Sequence, residues 1–281
     1  MPATNRYIPR VAVIFDFDET LATDSVDAIC AAWGIGREEW EERYFKPLGH
    51  NWDKIIKRSQ ALLDCGRDRG EPLSADLFEK AARKVELYPG VTELKQRLTA
   101  CAREILEELE VELVVLSSGY VEIIRRTAVR DSFDHVWASS FHGERSGGEV
   151  RIKRIISHPE KARYVEAFAK GLDLDSANEP RVDPPGSNPH DMHVPFDQII
   201  YLGDGLSDLA TFKFVTGHGG LAIAVNKGEG FEYAKEQTAD QRVDHLAPPD
   251  YSPGAELMEA LYHAVRSAAS RTALRKLGCG E

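Results

Sequence analysis

The chain has 281 residues, 42% hydrophobic and 29% charged, enough to bury a core of ordinary size in one domain with an insert or in two domains. Its net charge of −11 and the lack of a basic stripe with interleaved aromatics argue against a nucleic-acid partner. Anionic substrates stay open, because a bound divalent cation dominates its local field. Four scattered cysteines, Cys30, Cys65, Cys101 and Cys279, form no Cys-x-x-Cys pair and predict neither a disulfide framework nor a zinc site. Met1-Pro-Ala-Thr-Asn-Arg6 carries no signal-peptide apolar region, and the first apolar run is too short to span a bilayer. The expectation is a soluble, reduced, cytoplasmic protein without a membrane partner.

After a polar lead-in over 1–10, Val11-Ala-Val-Ile-Phe15 runs straight into Asp16 and Asp18. An unbroken apolar run of this kind predicts a strand over 11–18 buried on both faces, as in a parallel sheet. The two carboxylates fall at its carboxyl end, where open α/β sheets place their ligand crevice, and period two sets them on one side. Like charges so close need a cation or a shared proton, so Asp-x-Asp-x-Thr here signals metal binding and catalysis.

Residues 19–88 change character, rich in Glu, Lys, Arg, Ala and Leu with no alternating strand. Apolar spacing at Trp33, Trp40 and Phe45, then Ile55, Ile56, Leu62 and Leu63, predicts short amphipathic helices, with Ser74 as an N-cap. This is read as a small helical insert whose Trp33, Trp40, Tyr44 and Trp52 build its own core rather than line a pocket. Pro89-Gly-Val restarts the main body with a helix to about Leu109, followed by a buried strand, Val111–Gly119, ending in hydroxyls and glycine. A helix is expected from Tyr120 to about Arg130, a short strand over Phe133–Ala138 and a hairpin over 143–152. Another helix opens with Pro159 at its first position. Residues 173–195, with several Pro, Asn and Asp and Gly186, read as a long loop. A fourth strand within Phe196–Asp208 ends in a second acidic cluster, Leu221–Val225 is a fifth, and a last helix covers about 254–274. Strands alternating with helices predict an α/β fold with a doubly wound parallel sheet.

Polar groups of complementary kinds thus gather at separate element ends: Asp16 and Asp18, Ser117-Ser118-Gly119, Lys161, and Asp204 with Asp208. Together they suit phosphoryl transfer. That reaction needs a hard cation, which carboxylates bind, and donors for phosphoryl oxygens, which hydroxyls, amides and a lysine supply. It also needs an in-line nucleophile and an acid for the leaving group.

The ordered motifs Asp16-Phe-Asp-Glu-Thr20, Leu116-Ser117, Lys161 and Gly203-Asp-Gly-Leu-Ser-Asp208 resemble the haloacid dehalogenase superfamily over about residues 8–265, its magnesium-dependent phosphatases in particular. The resemblance implies a Rossmann-like core of residues 1–20 and 89–281, with 21–88 a helical cap that excludes water. It implies Asp16 as nucleophile, Asp18 as general acid and then base, and Mg2+ held by Asp16, Asp18 through its main-chain carbonyl, Asp204 and Asp208. Ser117, Ser118 and Gly119 would bind phosphoryl oxygens, Lys161 would keep Asp16 ionised, and Thr20 would steady the adjoining loop. Lys161 is preferred to Lys153 and Arg154 as the site lysine. His142, His158 and His218 are taken as surface or packing residues, and Glu19 and Asp24 as solvated near the insert hinge, with Glu19 facing a substrate as the alternative.

The second aspartate separates phosphatases and phosphomutases from dehalogenases, whose halide leaving group needs no proton. The phosphoserine and phosphocholine phosphatase branches share these motif contexts, but the serine-specific branch has a glutamate nine positions after the nucleophile, where this chain has Ser25. The resulting expectation is a magnesium phosphomonoesterase acting on a small phosphorylated metabolite, with a phosphomutase and a non-catalytic binding protein as alternatives. No motif acid is lost, which speaks against the last. The substrate, the oligomeric state and the role of the 173–195 loop stay open.

Overall fold

The computed structural model describes residues 7–143, 150–175, 182, 192–205, 207–226 and 243–279. Residues 144–149 of the expected hairpin and most of the expected loop over 173–195, Gly186 and His190 included, lie outside them.

The strands are β1 (Arg10–Phe15), β2 (Glu110–Tyr120), β3 (His135–His142), β4 (Arg151–Arg154), β5 (Ile199–Gly203), β6 (Leu221–Val225) and β7 (His245–Ala247). They form one sheet in the order β4-β3-β2-β1-β5-β6-β7. All neighbours run parallel except β3 and β4. This is the α/β doubly wound sheet expected. The chain builds outward from β1 through β2 and β3, then returns to β1's other edge with β5, β6 and β7. The crevice of such a sheet lies where the order reverses, at β1 and its neighbours.

Period two explains the two faces. Val11, Val13 and Phe15 enter an apolar layer with Leu94 and Leu98 of α5 (Leu94–Arg103) and Leu257, Leu261 and Val265 of the last helix, α10 (Glu256–Cys279). Ala12 and Ile14 enter the opposite layer with Val165 and Phe168 of α8 (His158–Ala169) and Phe212 of α9 (Leu209–Gly217). Pairing of Phe15 with both Val115 and Leu202 sets the ends of β1 and β5 level, while β2 runs on to Tyr120.

Between β1 and β2 lie α1 (Ser25–Ala32), α2 (Arg37–Trp40), a π-helical turn (Glu41–Phe45), α3 (Lys54–Asp68) and α4 (Ala75–Ala82). Asp24, Asp53 and Ser74 cap α1, α3 and α4 by accepting amide hydrogens. Trp33, Trp40, Leu62 and Phe78 share a third apolar cluster with Tyr120, Ile123 and Phe141, so these helices pack on the end of β2 and on β3. Trp52 does not join it and is 43% exposed.

Several bounds differ from expectation. β1 ends at Phe15, not Asp18: Glu19 adopts φ 60° and the amides of Thr20, Leu21 and Ala22 all point to the Phe17 carbonyl, so the chain turns at once. The helix expected over 89–109 reduces to a short 3-10 turn and α5. The one expected over 120–130 splits into α6 (Val121–Ile124) and α7 (Val129–Ser132), where the Thr127 hydroxyl donates to the Ile124 carbonyl and closes the first. β3 runs longer than expected, and α9 and β7 had no clear periodicity to announce them.

Candidate active site

Asp16 follows β1, and its amide still donates to the Leu202 carbonyl of β5. One carboxylate oxygen accepts the Phe17 amide at 2.7 Å; the other lies 2.7 Å from Lys161 Nζ. Lys161, on the first turns of α8, is fully buried and reaches Asp208 at 2.7 Å as well. Lys153 is exposed on β4 and Arg154 half-buried there, so neither competes for this place. Asp208 also accepts from the Tyr201 hydroxyl at 2.5 Å and the Ser207 hydroxyl at 2.9 Å. Ser207 can turn to Asp204 instead, 2.6 Å away. A side chain at Gly203 would put its Cβ 2.3 Å from an Asp208 oxygen, which is why glycine ends β5.

The electrostatics follow from these contacts. Burial opposes the charge on Lys161, but Asp16 and Asp208 prevail and hold it protonated. Burial likewise opposes ionisation of Asp208, but the Lys161, Tyr201 and Ser207 donors prevail and lower its pKa. Asp16, with fewer donors, is pushed up by burial and by Asp208 despite Lys161. Asp204 is pushed up to about 7 by its crowded surroundings and the charges of Asp208 and Asp16.

Asp18 points elsewhere. Its two oxygens accept the amide (2.8 Å) and hydroxyl (3.0 Å) of Ser25, so the residue found in place of a glutamate holds the second aspartate. Burial and then Asp24, with Asp16 adding and Arg58 opposing, push its carboxyl up to about 8. Gly119 must lack a side chain, since a Cβ would come within 2.8 Å of this carboxylate. The Ser117 hydroxyl accepts the Gly119 amide at 2.9 Å, and the buried Ser118 hydroxyl has no partner among the described residues. Thr20 is buried beside the site rather than on its wall. Its carbonyl accepts the Tyr251 hydroxyl at 2.9 Å, and its own hydroxyl has no described partner.

A cavity of about 240 Å³ opens over these groups, with Asp16, Asp18, Ser117, Ser118, Gly119, Asp204 and Ser207 on the sheet side. Its other wall comes mainly from the helices between β1 and β2, including Trp40, Phe45, Lys54 and Arg58. Glu19, Asp24 and His158 also line it, each half-buried, so Glu19 stands where its alternative reading puts it and His158 departs from a surface or packing role. Asp24 is held by Arg37 at 3.2 Å, and His158 is lowered in pKa by burial and by the nearby Lys161 and Lys54. Arg58 was not singled out from the sequence; it donates to the Ser118 carbonyl at 2.6 Å across more than fifty residues of chain, and no local pattern announces such a contact. Asp16, Asp204 and Asp208 each place one oxygen within 4.8 Å of the others. All three donors are hard oxygens, the set that suits Mg2+ rather than a softer metal.

A model of the haloacid dehalogenase-like hydrolases matches residues 13–180. The chain belongs to that family. Among curated relatives, an uncharacterized protein of Borreliella burgdorferi is 24% identical over 277 residues, covering 88% of this chain and 93% of its own. The mouse pyridoxal phosphate phosphatase PHOSPHO2 is 21% identical over 269 residues, covering 92% and 99%. Among solved structures, the family hydrolase t0658 of Salmonella enterica aligns with a TM-score of 0.60 at 14% identity, covering 93% of this chain and 72% of that one. A substrate-bound phosphoserine phosphatase aligns with a TM-score of 0.56 at 18% identity, covering 90% and 98%. At such identities the structural likeness speaks to the fold, which it shares with this hydrolase. No helix among the described residues is long and apolar enough to cross a membrane.

Proposed function

We propose that the chain is a cytoplasmic, magnesium-dependent phosphomonoesterase that hydrolyses a small phosphorylated metabolite through an aspartyl phosphate on Asp16. The observation that carries this reading is the buried run Asp16–Lys161–Asp208, with Asp204 beside it and Asp18 on the same cavity wall. In the first half-reaction the Asp16 carboxylate attacks phosphorus, the bond to the leaving oxygen breaks, and Asp18 gives that oxygen its proton. In the second, water attacks phosphorus, the Asp18 carboxylate takes the water proton, and the Asp16–phosphorus bond breaks to release phosphate. Lys161 offsets the charge of Asp16 and Asp208. Ser117 and Ser118 offer hydroxyls to phosphoryl oxygens, the second without a partner among the described residues, and Gly119 offers a main-chain amide that rests on the Ser117 hydroxyl until substrate binds. Thr20 keeps the loop beneath Asp18 in place through Tyr251.

Mg2+, when bound, would be held by Asp16, Asp204 and Asp208 with the Asp18 main chain, and would supply charge neutralisation for the phosphoryl group. Residues 1–20 and 89–281 form the catalytic core in this reading, and 21–88 the cap that excludes water and selects the leaving group. The mouse relative is named for pyridoxal phosphate, which makes that ester one candidate. Phosphoserine is disfavoured, because Ser25 is engaged with Asp18 and offers no carboxylate to an ammonium group.

The test is phosphate release from a panel of small phosphomonoesters that includes both, with and without Mg2+, for wild type, Asp16→Asn and Asp18→Asn. Metal-dependent release lost in Asp16→Asn supports the mechanism. Release that survives in Asp16→Asn, once contaminating phosphatase is removed, overturns the aspartyl phosphate, and a phosphorylated isomer as product turns the reading to a mutase.

A further inference from the structure

The cavity carries a cation that the phosphoryl chemistry above does not use. Among the described residues, three cations line it: Arg37, Lys54 and Arg58. Two are already engaged. Arg37 holds Asp24 (3.2 Å), Asp27 (2.7 Å) and Glu41 (2.9 Å). Arg58 donates to the Ser118 carbonyl at 2.6 Å and lies over the Tyr120 ring, 5.3 Å from its centre. Lys54 has no hydrogen bond or ion pair among the described residues, and it is exposed, so its ammonium is open to a solute. Its place is fixed by the backbone. Lys54 is the first residue of α3, and Asp53 caps that helix by accepting the Ile55 and Ile56 amides at 2.9 and 3.0 Å.

The second open group is His158, the first residue of α8, half-buried on the cavity wall. Its ring has no hydrogen bond among the described residues either. Burial and then the charges of Lys161, Lys54 and Arg58, against that of Asp208, hold its pKa below the ordinary imidazole value. Near neutral pH the ring is therefore uncharged and offers one N–H. The influence of Lys54 on it places the ammonium and the imidazole, from elements far apart in the chain, in one part of the cavity. The acids of the same wall have partners: Asp24 and Glu41 bind Arg37, and Glu19 accepts the Asp24 amide (3.1 Å) and the Tyr88 hydroxyl (3.3 Å). One ammonium and one neutral N–H, both open, match the single charge and two oxygens of a carboxylate.

Resting on the phosphatase reading above, we propose that Lys54 and His158 form a carboxylate subsite, so that the preferred substrate is a small phosphomonoester whose leaving group ends in a carboxylate. The cavity volume of about 240 Å³, below the roughly 300–1,000 Å³ of drug-sized ligand sites, keeps that leaving group to a short chain.

The experiment uses the full chain with Mg2+ and matched esters. These are the terminally phosphorylated hydroxyacetic, hydroxypropanoic and hydroxybutanoic acids, their primary carboxamides, equal in shape but uncharged, and the corresponding aminoalkyl phosphates. Pyridoxal phosphate, which has no carboxylate, joins the series. Wild type is expected to show a kcat/KM about three- to tenfold higher for at least one acid than for its carboxamide, the range of one net hydrogen bond. Lys54→Glu changes an exposed residue at a helix N-terminus, where a carboxylate is well tolerated. It should abolish that preference and favour the aminoalkyl phosphate over the acid. His158→Leu should cut the preference about twofold or more. Equal wild-type kcat/KM across every acid and carboxamide pair overturns the proposal without need of a variant. So does an aminoalkyl phosphate or pyridoxal phosphate that outranks every acid, the former turning the reading to Glu19 and an ammonium. A preference that survives Lys54→Glu overturns it too, and one that survives in full in His158→Leu, folded by circular dichroism, overturns the pairing. Phosphate release from the carboxamides upholds the phosphatase reading whatever becomes of the subsite. No release from any ester sinks that reading and this proposal together.

Discussion

Replacing Lys161 by Met removes the one cation among the described residues that touches both Asp16 and Asp208, with the side chains of all three buried to 6% exposure or less. A methionine fills nearly the same volume, so the loss is electrostatic. Among the described residues, Asp208 keeps the Tyr201 and Ser207 donors, whereas Asp16 keeps only the Phe17 amide. Breaking one partner from a buried ion pair costs about 3–5 kcal/mol, and the upper end is expected here because two carboxylates are left facing each other. Proton uptake is the escape. In the variant the folded carboxyl pKa rises above its unfolded value, so the penalty is full above that raised pKa and fades as pH falls through it toward the unfolded value near 3.9. Urea unfolding with chelator present should therefore show a deficit of about 3–5 kcal/mol against wild type at pH 7.5 that shrinks by half or more at pH 5. Asp16→Asn in the same background should restore stability at pH 7.5. A variant within about 1 kcal/mol of wild type at pH 7.5, or a deficit that does not change with pH, refutes the account.

Gly119→Ala places a Cβ 2.8 Å from the Asp18 carboxylate, so it should cost about 1–3 kcal/mol in urea unfolding and lower kcat by more than it raises KM, read by phosphate release. At the opposite sheet end, Glu112 contacts Arg10 at 2.8 Å, His193 at 3.0 Å and His135 at 3.7 Å. Burial opposes its ionisation, but these donors hold it down to about 2, while the Glu112 contact raises His135. Its contribution, about 3 kcal/mol at most, should be complete above pH 4.5 and be lost as pH falls toward 2; the His135 share should fade as pH rises through that imidazole's raised pKa. The stability difference between wild type and Glu112→Gln across pH, by chemical denaturation, should then pass through a maximum between the two. Tyr251→Phe deprives the buried Thr20 carbonyl of its donor and should cost about 1 kcal/mol by the same method.

Much of this molecule is local and could be read along the chain. Val11 to Phe15 had to be an inner strand, because every residue is apolar and the two faces of β1 enter two separate layers. Asp16, Asp18 and Asp204 could be singled out because each follows an apolar run, and strand ends in such sheets converge. Ser74 announced its cap by preceding a helical pattern. Lys161 was reached through family resemblance, since its neighbours Lys153 and Arg154 carry the same charge; only burial on α8 separates them.

What tertiary structure decided are the contacts that join distant segments or depend on the path of a turn. Period two placed Asp16 and Asp18 on one side of a strand, but the chain turns after Phe15, so Asp16 meets Lys161 and Asp18 meets Ser25. Trp52 and Trp40 look alike in an amphipathic pattern; packing against Phe45 and Arg37 buries one and leaves the other exposed. Arg58 reaches Ser118, and Tyr251 reaches Thr20, across separations at which no sequence period operates. Composition and periodicity fix which face of an element is apolar, whereas the partners of its polar side chains depend on how elements pack. The acids that gather at the strand ends were therefore legible in the sequence, and the opposite wall of the cavity was not.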